Sequence, residues 1–192
     1  MPVRAWLTFN TTRLTRPLLP FGPGSKRKLA IEIREADLGN AEDAQALLAV
    51  LDSYATDEMG GRAPLDADVR QRLVPALREQ ANALVLLAFA EGAAVGLANC
   101  FYGFSTFAAR PLLNVHDLAV LPAFRGRGIG GALLVAAEER ARARGCAKLT
   151  LEVREDNARA RGVYQTHGFR DFELAGVSVR TLFLAKGLAP AP

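Results

Sequence analysis

The sequence predicts an α/β protein of the α+β type, in which a mixed, mainly antiparallel sheet of six to seven strands is flanked by about four helices. Apolar runs of strand length recur along the chain, and segments with helical periodicity and capping residues lie between them. In the second half, a strand at 112–120, a helix at 130–144 and a strand at 147–153 follow in βαβ order. Such a unit is parallel and right-handed, whereas the other connections are short enough for antiparallel pairing.

The first predicted elements are a strand and two helices. Ala30–Arg34 alternates apolar and polar side chains, as a half-buried strand does. Asn40 is a favourable N-cap for a helix that runs to about Tyr54. Asp66 is the equivalent residue for a second helix, which Pro75 should kink or end because proline has no N–H to donate.

The remaining elements follow from apolar runs and from the residues that bound them. Three successive strands are predicted at Ala83–Ala90, Ala94–Phe101 and Leu112–Val120. A helix from Gly130 to Arg144 stops at Gly145, a residue type that is common just after helices. The last predicted elements are a strand at Ala147–Val153, a helix from Asn157 to about His167, and strands at Phe169–Leu174 and Thr181–Ala185.

Length and charge indicate one globular domain with a basic N-terminal extension. The chain has 192 residues, of which 50% are hydrophobic and 23% charged, and it contains no internal repeat. Its net charge of +4 arises in residues 1–28, which carry six basic residues and no acidic one. We therefore expect a flexible extension at 1–28, a domain at 29–188 and a tail at 189–192. The alternative is that the extension contacts nucleic acid or an anionic surface. We favour the flexible extension and expect no nucleic-acid partner.

Neither membrane insertion nor disulfide chemistry is expected. No apolar run is long enough to span a bilayer, and no signal-peptide core precedes a cleavage site, so we expect a cytoplasmic protein without a membrane partner. Cys100 and Cys146 lie in apolar runs and are interpreted as reduced, buried thiols. No metal site is predicted, because neither cysteine has a ligand partner at a suitable spacing.

The most informative segment is the glycine-rich turn between the strand that ends at Val120 and the helix after it. A helix start carries unpaired N–H groups and the positive end of a dipole, so it attracts phosphate. Glycines let the backbone approach that phosphate closely, and arginines add cations with fixed donor geometry. The turn consists of Arg125, Gly126, Arg127, Gly128, Ile129, Gly130 and Gly131. It predicts a phosphate-bearing cofactor.

Two cofactor motifs overlap in this turn. Gly126, Gly128 and Gly131 fit the dinucleotide pattern G-x-G-x-x-G, but only 61 residues follow, too few for the βαβ units of a Rossmann fold. A dinucleotide-binding oxidoreductase is therefore kept only as an alternative. The turn also reads R-x-x-G-x-G from Arg125 to Gly130.

A second motif follows downstream. A strand precedes Asn157 at a helix start, Tyr164 comes seven residues later, and the helix stops at Gly168-Phe169. The combined pattern resembles the GNAT superfamily of acyl-CoA-dependent N-acyltransferases, over residues 31–184 in element order and over 115–169 in specific motifs.

The resemblance implies a cofactor cleft and the groups that line it. Strands 112–120 and 147–153 would splay apart, with acetyl-CoA in the opening as co-substrate. The cofactor would be held by the backbone of Leu118, Ala119 and Val120 at the pantetheine, by the turn of residues 125–131 at the pyrophosphate, and by Asn157 at the cofactor arm.

Two residues are candidates for catalysis. Tyr164 aligns with the family tyrosine that usually faces the sulfur, which implies a proton donor to the departing thiolate, and core packing is the alternative. His116 stands where similar enzymes often carry an acidic, water-linked base, and a hydrogen-bonded structural histidine is the alternative. Asp117 is expected to anchor a neighbouring loop or helix end. Strand alternation places it opposite His116 unless a bulge intervenes.

The acceptor side of the cleft is less specified. Aromatic residues between two strands either line a pocket for an amine with apolar character or simply pack at the sheet edge. These residues are Phe101, Tyr102, Phe104 and Phe107. By the resemblance, Tyr54–Met59 corresponds to an acceptor-gating loop, in which Asp57 and Glu58 would attract a cationic amine.

These expectations combine into an acetyl-CoA-dependent N-acetyltransferase that transfers the acetyl group directly in a ternary complex. A small amine is preferred as acceptor over a protein lysine or N-terminus. The alternative is a non-catalytic acyl-CoA-binding sensor or regulatory module. The oligomeric state is left open, with a homodimer as one arrangement.

Overall fold

The computed structural model describes residues 30–171, 173–174, 177–178 and 182–188. The predicted extension at 1–28 and the tail at 189–192 lie outside these residues. Five strands form one sheet in chain order: β1 Ile31–Glu35, β2 Ala83–Ala90, β3 Ala93–Ser105, β4 Arg110–Val120 and β5 Leu149–Leu151. The helices are α1 Ala41–Ala55, α2 Ala67–Arg78, α3 Ile129–Ala143 and α4 Ala158–Thr166. A separate pair of short strands comprises β6 Glu173–Leu174 and β7 Val177–Ser178.

The sheet has the predicted mixed pairing but fewer strands. Strands β1 to β4 pair antiparallel, and β4 pairs with β5 in parallel. Within the described residues the sheet has five strands instead of six to seven, because β6 and β7 pair only with each other. Residues 182–185, from the last predicted strand, form no strand. Since β5 is only three residues long, the edge that is unpaired within the described residues offers few backbone groups to a further strand.

The helix starts follow from capping side chains, with one exception. Asn40 Oδ1 accepts the N–H of Glu42 at 2.8 Å, as predicted for α1. Asp66 precedes α2, but its side chain makes no capping hydrogen bond. Pro75 does not end α2, which continues to Arg78. Proline leaves only one carbonyl without its helical donor, four residues earlier, and that turn is exposed to water.

Two helices cover opposite faces of the sheet. Adjacent residues of β2, Leu86 and Leu87, are both fully buried but belong to different clusters, because side chains alternate along a strand. Leu86 packs with Leu133 of α3, and Leu87 packs with Val50 of α1. We call these the α3 face and the α1 face. None of the described helices combines the length and the apolar character needed to cross a bilayer.

Candidate active site

The site begins at the open edge of β4. Pairing between β4 and β5 runs only from Leu113 to Val115, and residues 116–120 of β4 have no β5 partner. On its other side β4 stays paired with β3 as far as Val120, opposite Gly96. The two parallel strands therefore part within the predicted cleft.

Backbone groups of Leu118 and Val120 face this opening. Leu121 donates its N–H to β3 at 2.9 Å, and hydrogen-bonded pairs alternate along an antiparallel ladder. Ala119 therefore turns its N–H and C=O toward β3, while the residues on either side of it turn theirs to the open edge. The Val120 carbonyl already accepts a hydrogen bond from Arg125 Nε at 2.9 Å. Of the three predicted pantetheine residues, Ala119 is thus the one whose backbone is directed elsewhere.

The glycine turn extends the opening into a cradle of N–H groups. Gly126 and Gly128 have φ angles of 75° and 81°, which favour glycine, and a Cβ on either would meet no atom within 4 Å. The first hydrogen bond of α3 runs from the Ala132 N–H to Gly128 O at 3.0 Å. As N-cap, Gly128 has no side-chain oxygen to occupy the amides of the first turn. The amides left without a side-chain cap belong to Ile129, Gly130 and Gly131.

Gly131 also has a packing role. A Cβ at this position would lie 2.6 Å from Cε1 of His167 and 2.7 Å from its Nε2. The His167 ring is fixed by a hydrogen bond between Nδ1 and Val163 O at 2.9 Å. Gly131 is therefore required for the close contact between the start of α3 and the end of α4.

Arg125 is held by protein groups on two sides. Besides the bond to Val120, its Nη2 lies 2.8 Å from Asp57 Oδ2. Asp57 also accepts the N–H of Met59 at 3.0 Å. That backbone hydrogen bond, followed by the Arg125 guanidinium, holds the pKa of Asp57 below its usual value. Arg125 is thus engaged with a carboxylate, although it was expected to meet phosphate, and Asp57 is not free to attract an amine.

Arg127 is the less engaged arginine of the turn. Its guanidinium lies 5.4 Å from the centroid of the Phe124 ring. It forms no ion pair with any carboxylate that the structure describes. A phosphate at the cradle would therefore find a cation here.

A β-bulge in β4 places His116 and Asp117 on the same face. The β3–β4 register skips His116, because Val115 and Asp117 face consecutive residues of β3. Val115 and Leu118 both pack on the α3 face. The side chains of His116 and Asp117, which lie between them, therefore point to the α1 face. There His116 is exposed and meets Phe101 edge-on, with ring centroids 5.7 Å apart. Asp117 bonds to Asn99 of β3 at 3.1 Å, and not to a loop or helix end as expected.

Two tyrosines approach the same region. Tyr164 of α4 is half-buried, and its ring lies 5.8 Å from that of Phe169. Burial raises the pKa of Tyr164, and the nearby Tyr54 raises it further. Burial also raises the pKa of Tyr54, and the charges of Asp117 and Asp57 add to this effect. Tyr54, Tyr164 and Asp117 therefore share one electrostatic environment, in which both phenols stay protonated at neutral pH.

Asn157 serves as the N-cap of α4. Its Oδ1 accepts the Ala160 N–H at 3.1 Å, which confirms the predicted helix start. The side-chain NH2 has no hydrogen-bond partner among the described residues. It is the part of this side chain that can donate to a ligand.

The predicted aromatic acceptor residues do not come together. Phe104 and Phe107 lie at the tip of the β3–β4 hairpin, 62% and 104% exposed, at the end of β4 remote from Val120. Tyr102 lies under Arg144, whose guanidinium is 4.0 Å from the ring centroid. Only Phe101, which contacts His116, borders the site.

Sequence reasoning missed Asn99 and included Tyr54 only as the first residue of the acceptor-gating loop, without a role for its hydroxyl. Asn99 was the one amide in the apolar run at 94–101, and that contrast was the signal that could have found it. Tyr54 stands at the end of an amphipathic helix, where nothing in the sequence distinguishes it from a core residue.

A mixed sheet of five strands combined with four helices is a GNAT-like α/β fold. The family model for the acetyltransferase (GNAT) family matches residues 47–169, and the chain belongs to this family. Members of the family use acetyl-CoA.

Individual relatives agree with this assignment. An uncharacterized N-acetyltransferase of Archaeoglobus fulgidus is 43% identical over 58 residues, which are 30% of this chain and 40% of the relative. The chain thus spans less than half the length of that curated relative. Aminoglycoside N-acetyltransferase AAC(6')-Iy, solved with CoA, superposes with a TM-score of 0.64 at 19% identity, over 88% of this chain and 99% of its own. Ribosomal-protein-alanine N-acetyltransferase from Brucella melitensis biovar Abortus superposes with a TM-score of 0.60 at 22% identity, over 79% of this chain and 100% of its own. At these identities the two structures show the fold alone.

Proposed function

We propose that the protein transfers an acetyl group from acetyl-CoA directly to a primary amine in a ternary complex. The observation that carries this proposal is the continuity of the open β4 edge with the N–H cradle. A Cβ on Gly130 would lie 3.9 Å from Val120 Cγ2, so the first turn of α3 packs against the end of the open strand. One elongated donor can therefore bond to the strand with one part and to the helix start with another.

The residues present suit such a donor. The pantetheine amides would pair with Leu118 and Val120, as an added strand pairs with a sheet edge. The pyrophosphate would lie against the N–H groups of residues 126–131, with Arg127 as a cation and Asn157 as a further donor. Arg125 would act on this site by holding the end of β4. The bound thioester supplies the acetyl group.

The proposed transfer needs two proton movements. An alkylamine with a pKa of ~10.4 is only about one part in 10³ to 10⁴ free base at neutral pH, so the acceptor must lose a proton. The departing thiolate must gain one, and Tyr164 is the proposed donor. Burial raises its pKa, so the phenol carries its proton at neutral pH. General acids in such roles contribute about 10²- to 10⁴-fold to the rate.

The acceptor would enter on the α1 face, between Tyr54 and the exposed His116. His116 is the base that the resemblance suggests. The aminoglycoside enzyme among the structural neighbours supports a small amine as the preferred acceptor. The ribosomal-protein-alanine enzyme supports a protein acceptor as the alternative.

A CoA-release assay tests the proposal. Purified protein and acetyl-CoA are incubated with n-butylamine, tyramine, spermidine, an aminoglycoside and peptides with a free lysine or N-terminus. Release of CoA with an amine, together with the mass of the acetylated product, supports the proposed function. Calorimetric binding of acetyl-CoA without release of CoA by any acceptor would leave the acyl-CoA sensor as the function of this site.

A further inference from the structure

Two polar side chains face each other in an otherwise apolar part of the sheet. Asn99 of β3 and Asp117 of β4 are partners in the ladder, and Asn99 Nδ2 donates to Asp117 Oδ2 at 3.1 Å. Asn99 is 3% exposed, and its Oδ1 has no hydrogen-bond partner among the residues described. A buried carbonyl oxygen without a donor destabilises a fold. The one side-chain hydrogen bond that this amide makes among the described residues leads to Asp117.

Asp117 lies in the open part of β4. Pairing with β5 has already ended at Val115, and the bulge turns the carboxylate to the α1 face. Tyr54 of α1 lies close enough for the charge of Asp117 to raise the pKa of the phenol, after the larger effect of burial. The same charge adds to the effect of burial on Cys100 of β3, whose pKa is about 12. The carboxylate thus acts on both elements packed beside it.

The negative charge of Asp117 has no ionic partner within the described part of the chain. Asp57, the neighbouring carboxylate, is already paired with Arg125. A half-buried carboxylate that lacks a cation is a binding group for one. An amine acceptor arrives in water mostly as its ammonium ion, which is such a cation.

We propose that Asp117 binds the ammonium group of the acceptor and takes its proton, and that Asn99 is a positioning residue that holds the carboxylate. This inference rests on the proposed acetyl transfer. One N–H bond of the ammonium breaks, and the proton goes to the Asp117 carboxylate. The freed lone pair forms the C–N bond to the acetyl carbon, the C–S bond breaks, and Tyr164 protonates the thiolate. The second proton that the nitrogen loses returns to Tyr164 through water, and Asp117 releases its proton to solvent.

The surroundings favour this transfer. A bound donor excludes water from the open edge, and loss of water disfavours a carboxylate and an ammonium ion together. Movement of one proton neutralises both groups. The imidazole ring of the exposed His116 carries no negative charge, so His116 is the weaker binding group for an ammonium ion.

The test compares steady-state kinetics of the full chain, using the amine from the panel that the wild type acetylates fastest. Asp117→Asn should lower kcat/KM at least about 100-fold while the Kd for acetyl-CoA changes less than about 2-fold. Asp117→Glu, which restores the carboxylate, should recover at least about 10-fold of that loss. Asp68→Asn removes an exposed carboxylate from the ion pair with Arg72 on α2 and should leave kcat/KM within about 2-fold.

Asn99→Leu tests the positioning role. It removes the donor to Asp117 and the unpaired Oδ1 together, and these two effects on stability oppose each other, so the melting temperature should change little while kcat/KM falls about 10-fold. In the Asp117→Asn background the same change should add little, because the two residues act as one unit. An Asp117→Asn enzyme within about 3-fold of wild type overturns the inference and leaves the acetyl transfer standing. A larger loss of kcat/KM in His116→Gln than in Asp117→Asn also overturns the inference and leaves the acetyl transfer standing. If none of the amines in the panel causes the wild-type protein to release CoA, both the inference about Asp117 and the proposed acetyl transfer are overturned.

Discussion

Arg125 and Asp57 form an ion pair, with 2.8 Å between Nη2 and Oδ2, that joins the loop after α1 to the end of the open strand. The same guanidinium donates to the Val120 carbonyl at 2.9 Å. One side chain thus links the loop after α1 to the strand that is proposed to hold pantetheine. A change at Asp57 should therefore be felt at the cofactor.

Asp57→Asn should weaken acetyl-CoA binding about 5- to 10-fold, because the end of β4 loses its attachment when Arg125 is released. If Arg125 were only a cation for phosphate, removal of the nearby negative charge would tighten binding instead. Isothermal titration calorimetry distinguishes these directions. Glu58→Gln removes the same charge from an exposed neighbour and should not weaken binding.

Gly128→Ala should weaken acetyl-CoA binding at least about 10-fold, since an L side chain at its positive φ distorts the amide cradle. Gly145→Ala is the matched control, because Gly145 lies beyond the other end of α3 with φ 72° and equally open surroundings. Both variants should lose about 1 kcal/mol of unfolding free energy. Titration with acetyl-CoA should separate them, and equal affinities would contradict the cradle.

Tyr164→Phe should lower kcat at least about 10-fold with little change in the Kd for acetyl-CoA, because only the proton donor is lost. The pKa of Tyr164 is raised from its ordinary 10.0, so activity that depends on the protonated phenol should persist to above pH 10. The measurements are steady-state kinetics and the alkaline limb of the kcat profile. Tyr102→Phe, on the α3 face under Arg144, is the control and should keep its activity. Unchanged turnover in Tyr164→Phe would exclude the assigned role.

Gly131→Ala should cost about 1–3 kcal/mol of unfolding free energy, because its methyl group would overlap the His167 ring. Gly130→Ala adds the same atom one residue earlier at an ordinary contact distance and should be neutral or stabilising, by up to about 1 kcal/mol. Denaturant unfolding measures both. Combining Gly131→Ala with His167→Ala should recover part of the loss, and a loss that persists would place the strain elsewhere.

Local signals predicted most of the fold. The capping residues Asn40 and Asn157 act through bonds to amides two or three residues away, so the sequence marks their helix starts directly. Strand alternation likewise separates Leu86 from Leu87 without any knowledge of the partner helices. The glycine turn was recognisable because its φ angles and its position at a helix start are local properties.

The parts that were missed depend on residues far apart in the chain. The bulge at His116 exists only in the register between β3 and β4, and it decides which face both polar residues occupy. The pairing of Arg125 with Asp57 connects segments that are distant in sequence, so neither residue could be assigned its partner beforehand. β5 is also shorter than predicted because its pairing with β4 ends at Leu151, and nothing in its apolar sequence marks that point.

The free edge of β4 has a consequence outside catalysis. Unpaired backbone groups on an edge strand accept any extended chain, and such edges are a common route to aggregation. In this protein the donor would act as the missing strand and shield residues 116–120 for as long as it stays bound. The empty protein should therefore be the form most prone to self-association, so starvation for the donor would threaten its solubility as well as its turnover.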